Sequence, residues 1–305
     1  MKESPSIEVE LCGFRIKSPL MLASGVLGIS FDLFPRMIQS GLGAIVSKSI
    51  GLEPREGYPN PTMTGTDAGY LNAIGLANPG VEEFSSELEE HRDNKIPLIV
   101  SIFADSPENF ARLAARLERY DFLAFELNLS CPHVKEVGSE IGSDPEEAAN
   151  VVRAVKVTTR KPVLAKMPAT IQNVPEWAKA VESVGADAIV AINTIRAMRI
   201  DVNSRKPILS NKIGGLSGPA MRPVGVRCVY EIFESVKIPV IGVGGITNWE
   251  DSVEYFLAGA RSVQIGSALG SKYLSAFSEI NRGLQDYLQK NRFSKLGDVI
   301  GLAHN

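Results

Sequence analysis

Short, almost continuously apolar runs recur along the chain at even intervals, at 19–24, 44–48, 97–102, 122–129, 162–166, 188–192, 239–243 and 262–265. Strands buried on both faces have this character, whereas half-exposed strands alternate. Four of the runs begin at proline (Pro19, Pro97, Pro162 and Pro239), which a strand tolerates at its first residue. Between them lie helical patterns. Ser106-Pro107-Glu108 precedes Phe110, Leu113, Ala114 and Leu117, an i, i+3, i+4, i+7 stripe behind a capping serine and a first-turn proline. Asp144-Pro145-Glu146 repeats the device before Ala149, Val152 and Val155, and Asn248 caps a segment that stops at Gly259. Residues 174–184, 221–236 and 276–288 fill the remaining crossovers. Strand and helix in alternation imply parallel pairing with right-handed crossovers. Eight such units predict an α/β fold closed as a (β/α)8 TIM barrel.

Ahead of the first run, Ile7-Glu-Val-Glu-Leu and Phe14-Arg-Ile-Lys flank Cys12-Gly13, a two-stranded β-hairpin expected to close the barrel floor. Two connections are long, 51–79 and 194–219, and both are rich in Gly, Pro and Asn. Both follow the C-terminal end of a strand, where barrel enzymes build their sites. At 305 residues the chain is long enough for two average domains, but a barrel reaches this length as one, so a single domain over 1–305 is expected.

A formal charge of −3 without basic runs excludes a nucleic-acid surface. Cys12, Cys131 and Cys228 form no CxxC, which argues against zinc and against an iron–sulfur cluster held by this chain, and suits a reducing cytoplasm. The charged first 18 residues do not read as a signal peptide, and no apolar stretch approaches the ~20 residues that span a bilayer.

The informative anomaly is polar chemistry at the ends of apolar strands: Lys48-Ser49, Asn128-Leu-Ser130-Cys131, Lys166 and Asn193-Thr194. A buried lysine or asparagine without a partner costs several kcal/mol, so a ligand or a network is expected there. Glycine turns follow the last strands, Gly214-Gly215-Leu-Ser-Gly218, Gly242-Val-Gly244-Gly245 and Gly266-Ser267. Loops after strands seven and eight make the usual phosphate site of such barrels. Neither a Walker loop nor a Rossmann fingerprint is present. Cys131 is either a buried small hydrophobe or a thiolate at the barrel mouth. Cys12 and Cys228 are expected to be packing residues.

The run Leu127-Asn-Leu-Ser-Cys-Pro-His-Val-Lys135 resembles the active-site segment of dihydroorotate dehydrogenases. So do Leu71-Asn-Ala-Ile-Gly-Leu-Ala-Asn-Pro-Gly80, Lys48-Ser49 with Glu53-Pro-Arg-Glu-Gly57, and Gly214-Gly-Leu-Ser-Gly-Pro-Ala220. The resemblance runs from about residue 7 to about 290. Cysteine at 131 is similar to the soluble class 1 enzymes. Ile192-Asn-Thr-Ile, Arg199-Ile-Asp, Arg205-Lys-Pro-Ile and Gly215-Leu-Ser-Gly look most like class 1B. The resemblance implies oxidation of (S)-dihydroorotate to orotate in pyrimidine biosynthesis, with Cys131 and Lys48 as catalytic residues. It implies FMN on Ser24, Lys48, Ser49, Ser101, Asn128, Lys166, Ile192, Gly218, Gly244, Gly245, Gly266 and Ser267. Substrate would be held by Lys48, Asn72, Ala73, Ile74, Gly75, Leu76, Asn128, Asn193 and Thr194. The long connection carrying Asn72 is expected to close over it, with a lid around 131–142.

Three segments depart from the family pattern: Ser101-Ile-Phe-Ala, Lys166-Met-Pro-Ala-Thr and Gly266-Ser-Ala-Leu-Gly-Ser. Class 1B further implies a homodimeric core in a heterotetramer, with FAD and a [2Fe–2S] cluster on a partner subunit passing electrons to NAD⁺. The competing readings are a class 1A homodimer using fumarate, another FMN barrel acting on dihydropyrimidines, and a flavin-free phosphate-binding lyase or isomerase barrel. Bound flavin separates the last from the others, and the electron acceptor separates the first.

Overall fold

The computed structural model describes residues 4–130 and 141–305. Strands β1 (Val9–Leu11) and β2 (Phe14–Ile16) form the expected hairpin. Its two-residue turn has Cys12 at φ 49° and Gly13 at φ 83°, the paired positive values that match the twist of a tight hairpin. Cys12 Sγ meets the carbonyl of Asp187 at 3.3 Å, just before a barrel strand starts, which places the hairpin at the N-terminal floor.

The barrel strands are β3 (Leu20–Leu22), β4 (Ala44–Val46), β7 (Leu98–Ile102), β8 (Ala124–Asn128), β9 (Val163–Lys166), β10 (Ala188–Ala191), β15 (Val240–Val243) and β16 (Ala260–Ile265). Among the described residues these eight close into a ring, each paired in parallel with its sequence neighbour in the ring and β16 with β3. The four prolines ahead of β3, β7, β9 and β15 lack an N–H yet still serve the ladder. Their carbonyls accept from Val263, Ile45, Phe125 and Ile189 of the adjacent strands, at 2.9 to 3.1 Å.

Around the ring lie α1 (Phe34–Gln39), α2 (Gly80–Glu90), α3 (Pro107–Leu117), α4 (Pro145–Lys156), α5 (Val174–Ser183), α6 (Arg222–Ser235), α7 (Trp249–Leu257), α8 (Leu269–Lys272) and α9 (Ser275–Lys290). The caps act as expected. Ser106 Oγ accepts from Asn109 N, Asp144 from Glu146 N and Glu147 N, and Asn248 forms a capping box with Asp251. The α3 stripe of Phe110, Leu113, Ala114 and Leu117 is wholly buried against the barrel.

The two long connections differ from open loops. The first contains β5 (Met63–Thr66) and β6 (Gly69–Asn72). The second contains β11 (Ile195–Met198), the short pair β12 (Ile200–Asp201) and β13 (Lys206–Pro207), and β14 (Ile213–Ser217). They join into one antiparallel sheet of order β11-β14-β6-β5 at the C-terminal mouth. The contact is close: a Cβ on Gly218 would stand 2.4 Å from Gly69 Cα, so only glycine fits.

Candidate functional site

The polar residues that end the strands are joined in a chain across the mouth. Ser49 Oγ, just past β4, shares hydrogen bonds with Ser24 Oγ at 3.1 Å and Ser101 Oγ at 2.9 Å. Asn128, the last residue of β8, donates from Nδ2 to Ser49 Oγ at 3.2 Å. Its Oδ1 accepts from Asn193 Nδ2 at 3.2 Å, and Asn193 Oδ1 accepts from Thr194 N at 2.7 Å. The Thr194 side chain lies against Gly215, whose Cβ, were there one, would meet its Oγ1 at 2.1 Å. The Gly215 carbonyl in turn accepts from Asn72 Nδ2 at 3.3 Å. Seven of the residues singled out in the sequence thus share one contiguous face. Ser130 Oγ, at the end of the same β8 run, is buried without a hydrogen-bond partner among the described residues.

Two cations stand at this mouth in opposite situations. Lys166 is buried, and its Nζ donates to Glu126 Oε1 at 3.1 Å and Gln264 Oε1 at 3.2 Å. Gln264 Nε2 closes the triangle on Glu126 Oε2 at 2.5 Å. Glu126 and Gln264 are fully enclosed in the barrel and were not among the residues picked from the sequence. Lys48 has no ion pair or hydrogen bond from its ammonium among the described residues. Burial alone pushes its pKa below the usual lysine range. A desolvated cation with no counter-ion among the described residues suits an anion.

Beside this face, β15 and β16 end in glycine turns. Gly244 (φ 133°) and Gly245 (φ 69°) adopt backbone conformations that side chains disfavour. The backbone N–H groups of Gly244, Gly245, Gly266 and Ser267 donate to no protein acceptor among the described residues. Four donors without a protein acceptor, grouped on adjacent strand ends, make an anion cradle. Gly218 lies against it, its carbonyl 2.8 Å from where a Gly245 Cβ would sit. Ile192, next along from β10, is buried and donates its N–H to the Val243 carbonyl at 3.0 Å.

The stretch holding Ala73, Ile74, Gly75 and Leu76 is folded back on itself. Tyr58 N donates to Ile74 O at 3.0 Å, and Arg55 and Asn78 exchange backbone hydrogen bonds at 2.9 and 3.0 Å. Asn78, buried, clips the ends of the connection: its Oδ1 accepts from Gly51 N at 3.1 Å and Gly80 N at 2.9 Å. Sequence reasoning did not single out Asn78, although it stands inside the quoted 71–80 motif. With β6 also pinned to β14, Asn72 sits on a braced sheet rather than a free loop.

Cys131 and the lid expected around 131–142 fall on residues 131–140, outside those described, save their last two positions. The other thiols are held protonated. Burial, with Asp187 adding to it, pushes Cys12 up to about 12, and burial also raises Cys228.

A closed parallel barrel with an anion cradle at the ends of its last two strands, beside an amide- and hydroxyl-lined face, defines a barrel enzyme with its site at the C-terminal mouth. Comparison with known proteins narrows this class. A family model described as dihydroorotate dehydrogenase matches residues 6–288. A protein of Pyrococcus furiosus is 49% identical over 98% of this chain and 99% of its own length. One of Pyrococcus abyssi is 50% identical over 97% and 99%, and one of Thermococcus kodakarensis 48% over 97% and 98%. Each is named dihydroorotate dehydrogenase B (NAD(+)), catalytic subunit. The chain belongs to the dihydroorotate dehydrogenase family and is an oxidoreductase acting on a CH–CH pair. The resemblance to class 1B, rather than 1A, agrees with the names of these relatives.

Proposed function

We propose that this protein oxidises (S)-dihydroorotate to orotate with FMN at the barrel mouth, and that electrons leave through a partner subunit carrying FAD and a [2Fe–2S] cluster to NAD⁺. The observation that carries the reading is the juxtaposition of two donor sets at the C-terminal ends of neighbouring barrel strands. The unpaired amides of Gly244, Gly245, Gly266 and Ser267 suit a phosphate, and the Asn72-to-Ser24 chain suits the edges of a ring system. The Ser130 hydroxyl, without a partner among the described residues, fits a site completed by ligand.

FMN would rest on those amides and on Gly218, with Ser24, Ser49, Ser101, Asn128, Lys166 and Ile192 around its ring and ribityl chain; when bound it supplies the acceptor for the hydride of substrate C6. Cys131 takes the proton from C5, so loss of H⁺ and H⁻ from adjacent carbons leaves the C5–C6 double bond. Lys48 neutralises the substrate carboxylate. Asn72, Asn128, Asn193 and Thr194 orient the ring amides, with Ala73 to Leu76 behind them. The relatives' name, catalytic subunit, supports a partner subunit, and the assembly proposed with it is a heterotetramer on a homodimeric core. No described helix is long and apolar enough to cross a membrane, and we place the enzyme in the cytoplasm.

The test is optical. The purified chain should carry flavin absorbance that bleaches anaerobically on adding dihydroorotate. Turnover should require NAD⁺ with the co-purified partner. Rapid turnover with fumarate alone overturns the partner assignment, and failure to bind FMN overturns the whole reading.

Lys48 gives a second expected result. A hydrogen bond to a charged group contributes about 1.5–3 kcal/mol, so Lys48→Met should weaken orotate binding by roughly 10- to 150-fold. Orotate affinity of the unaltered protein should fall as pH rises through the depressed Lys48 pKa, because only the ammonium attracts the carboxylate. Binding should take up protons, since the anion pulls that pKa back up. Isothermal titration in buffers of different ionisation enthalpy measures both. Equal orotate affinity in Lys48→Met would exclude the role.

A further inference from the structure

The cradle has a support that lies outside it. Tyr255, on α7, is wholly buried, and its hydroxyl donates to the Gly244 carbonyl at 2.8 Å. Three glycines make room for this one side chain. A Cβ on Gly242 would stand 2.3 Å from its ring, one on Gly225 of α6 would stand 2.0 Å from its oxygen, and one on Gly244 3.3 Å from that oxygen. The peptide joining Gly244 to Gly245 is planar and trans, so its C=O and N–H point in opposite directions. Drawing the Gly244 carbonyl down toward α7 therefore turns the Gly245 N–H the other way, and that N–H is one of the four unpaired donors.

We infer that Tyr255 is a positioning residue that orients the Gly244–Gly245 peptide so that its N–H receives a terminal phosphate of the cofactor; the inference rests on the FMN reading above. The hydroxyl does not touch ligand. It decides which way a glycine-rich turn, free to flip in the absence of side chains, presents its donor. Burial raises the Tyr255 pKa, so the phenol remains a donor across the working pH range. Of the groups that act on the phenol, Cys228 is a buried thiol, and Arg222 pairs with Asp251 and Glu254.

The test compares FMN with riboflavin, which lacks only the phosphate. Titrated into apoprotein, the unaltered chain should prefer FMN. Tyr255→Phe should lose about tenfold in FMN affinity and keep its riboflavin affinity, so that the preference ratio shrinks. Gly225→Ala, which displaces the same hydroxyl from another helix, should shrink the ratio too and provides the answer if Tyr255→Phe does not fold. A purely structural role would weaken both ligands equally or neither, and an unchanged ratio in both variants overturns the inference. An unaltered chain that binds riboflavin as well as FMN instead overturns the phosphate cradle, and the inference with it.

Discussion

Glu126→Leu should destabilise the flavin-free protein by about 3–5 kcal/mol, among the largest effects a single substitution can have here. The change leaves the Lys166 ammonium inside the barrel with the Gln264 amide oxygen as its one remaining hydrogen-bond partner among the described residues. Glu126 is wholly buried and Lys166 nearly so, so water cannot replace the lost carboxylate without opening the ring of strands. Lys166→Met should cost a similar amount for the mirror reason, a buried carboxylate facing one amide. Removing both charges, in Glu126→Leu with Lys166→Met, should recover most of the loss, because neighbouring apolar side chains can pack where the pair stood.

Thermal unfolding of apoprotein followed by circular dichroism reads this out. The single variants should fall by on the order of 10 °C and the double variant by much less. A double variant no more stable than Glu126→Leu alone would show that packing, rather than the uncompensated charge, sets the cost. A stable double variant that no longer retains flavin would separate the two contributions of Lys166: its burial costs stability that only the pairing offsets, while its remaining N–H is available to the ligand.

The barrel was legible because its strands are enclosed on both faces. Enclosure demands unbroken apolar runs, and such runs stand out from any single sequence. Proline at four of their starts sharpened the boundaries, since the residue that cannot donate still accepts through its carbonyl. The mouth sheet was not legible. Its strands, such as Met63-Thr-Gly-Thr and Ile213-Gly-Gly-Leu-Ser, are short and glycine-bearing. Although β5 pairs locally with β6, the pairing that joins the two connections brings together residues far apart along the chain, as Asn72 and Gly215 are. Helix α1 has only six residues, and α2 begins at Pro79-Gly80, a pair that reads as a turn although Val81, Phe84 and Leu88 carry a stripe.

The site divides in the same way. Asn128 and Lys166 were visible as polar residues ending apolar runs. Glu126 and Gln264 interrupt the same kind of run but fall inside it, and period two puts Glu126 on the face of Asn128. That signal was present and pointed to a buried carboxylate. Its partners were not readable, because Lys166 and Gln264 lie 40 and 138 residues away and meet it only when the ring closes. Tyr255 gave no signal, since a tyrosine on an amphipathic helix is ordinary until the glycines packed around it are known.

Cys131→Ser should slow reduction of bound flavin by dihydroorotate about 10²- to 10⁴-fold, the span typical of losing a positioned general base. The substitution keeps a small hydroxyl in place of the thiol, so flavin content and orotate binding should persist. The rate should recover in part at high pH, where the less acidic serine can more readily give up its proton to solvent and accept one from C5. The other cysteines supply the control. Cys12 lies at the barrel floor with its thiol pushed up to about 12, and Cys228 is buried in α6, so neither offers a thiolate near neutrality. Cys12→Ser should therefore leave the rate unchanged. Anaerobic stopped-flow at pH 7, following flavin absorbance after mixing with dihydroorotate, distinguishes the cases. Full-speed reduction in Cys131→Ser would remove the proton-transfer role from that residue. That result would leave the proposed binding of substrate and cofactor at the polar face and the amide cradle untouched, and the base would then have to be sought among the other groups at the mouth.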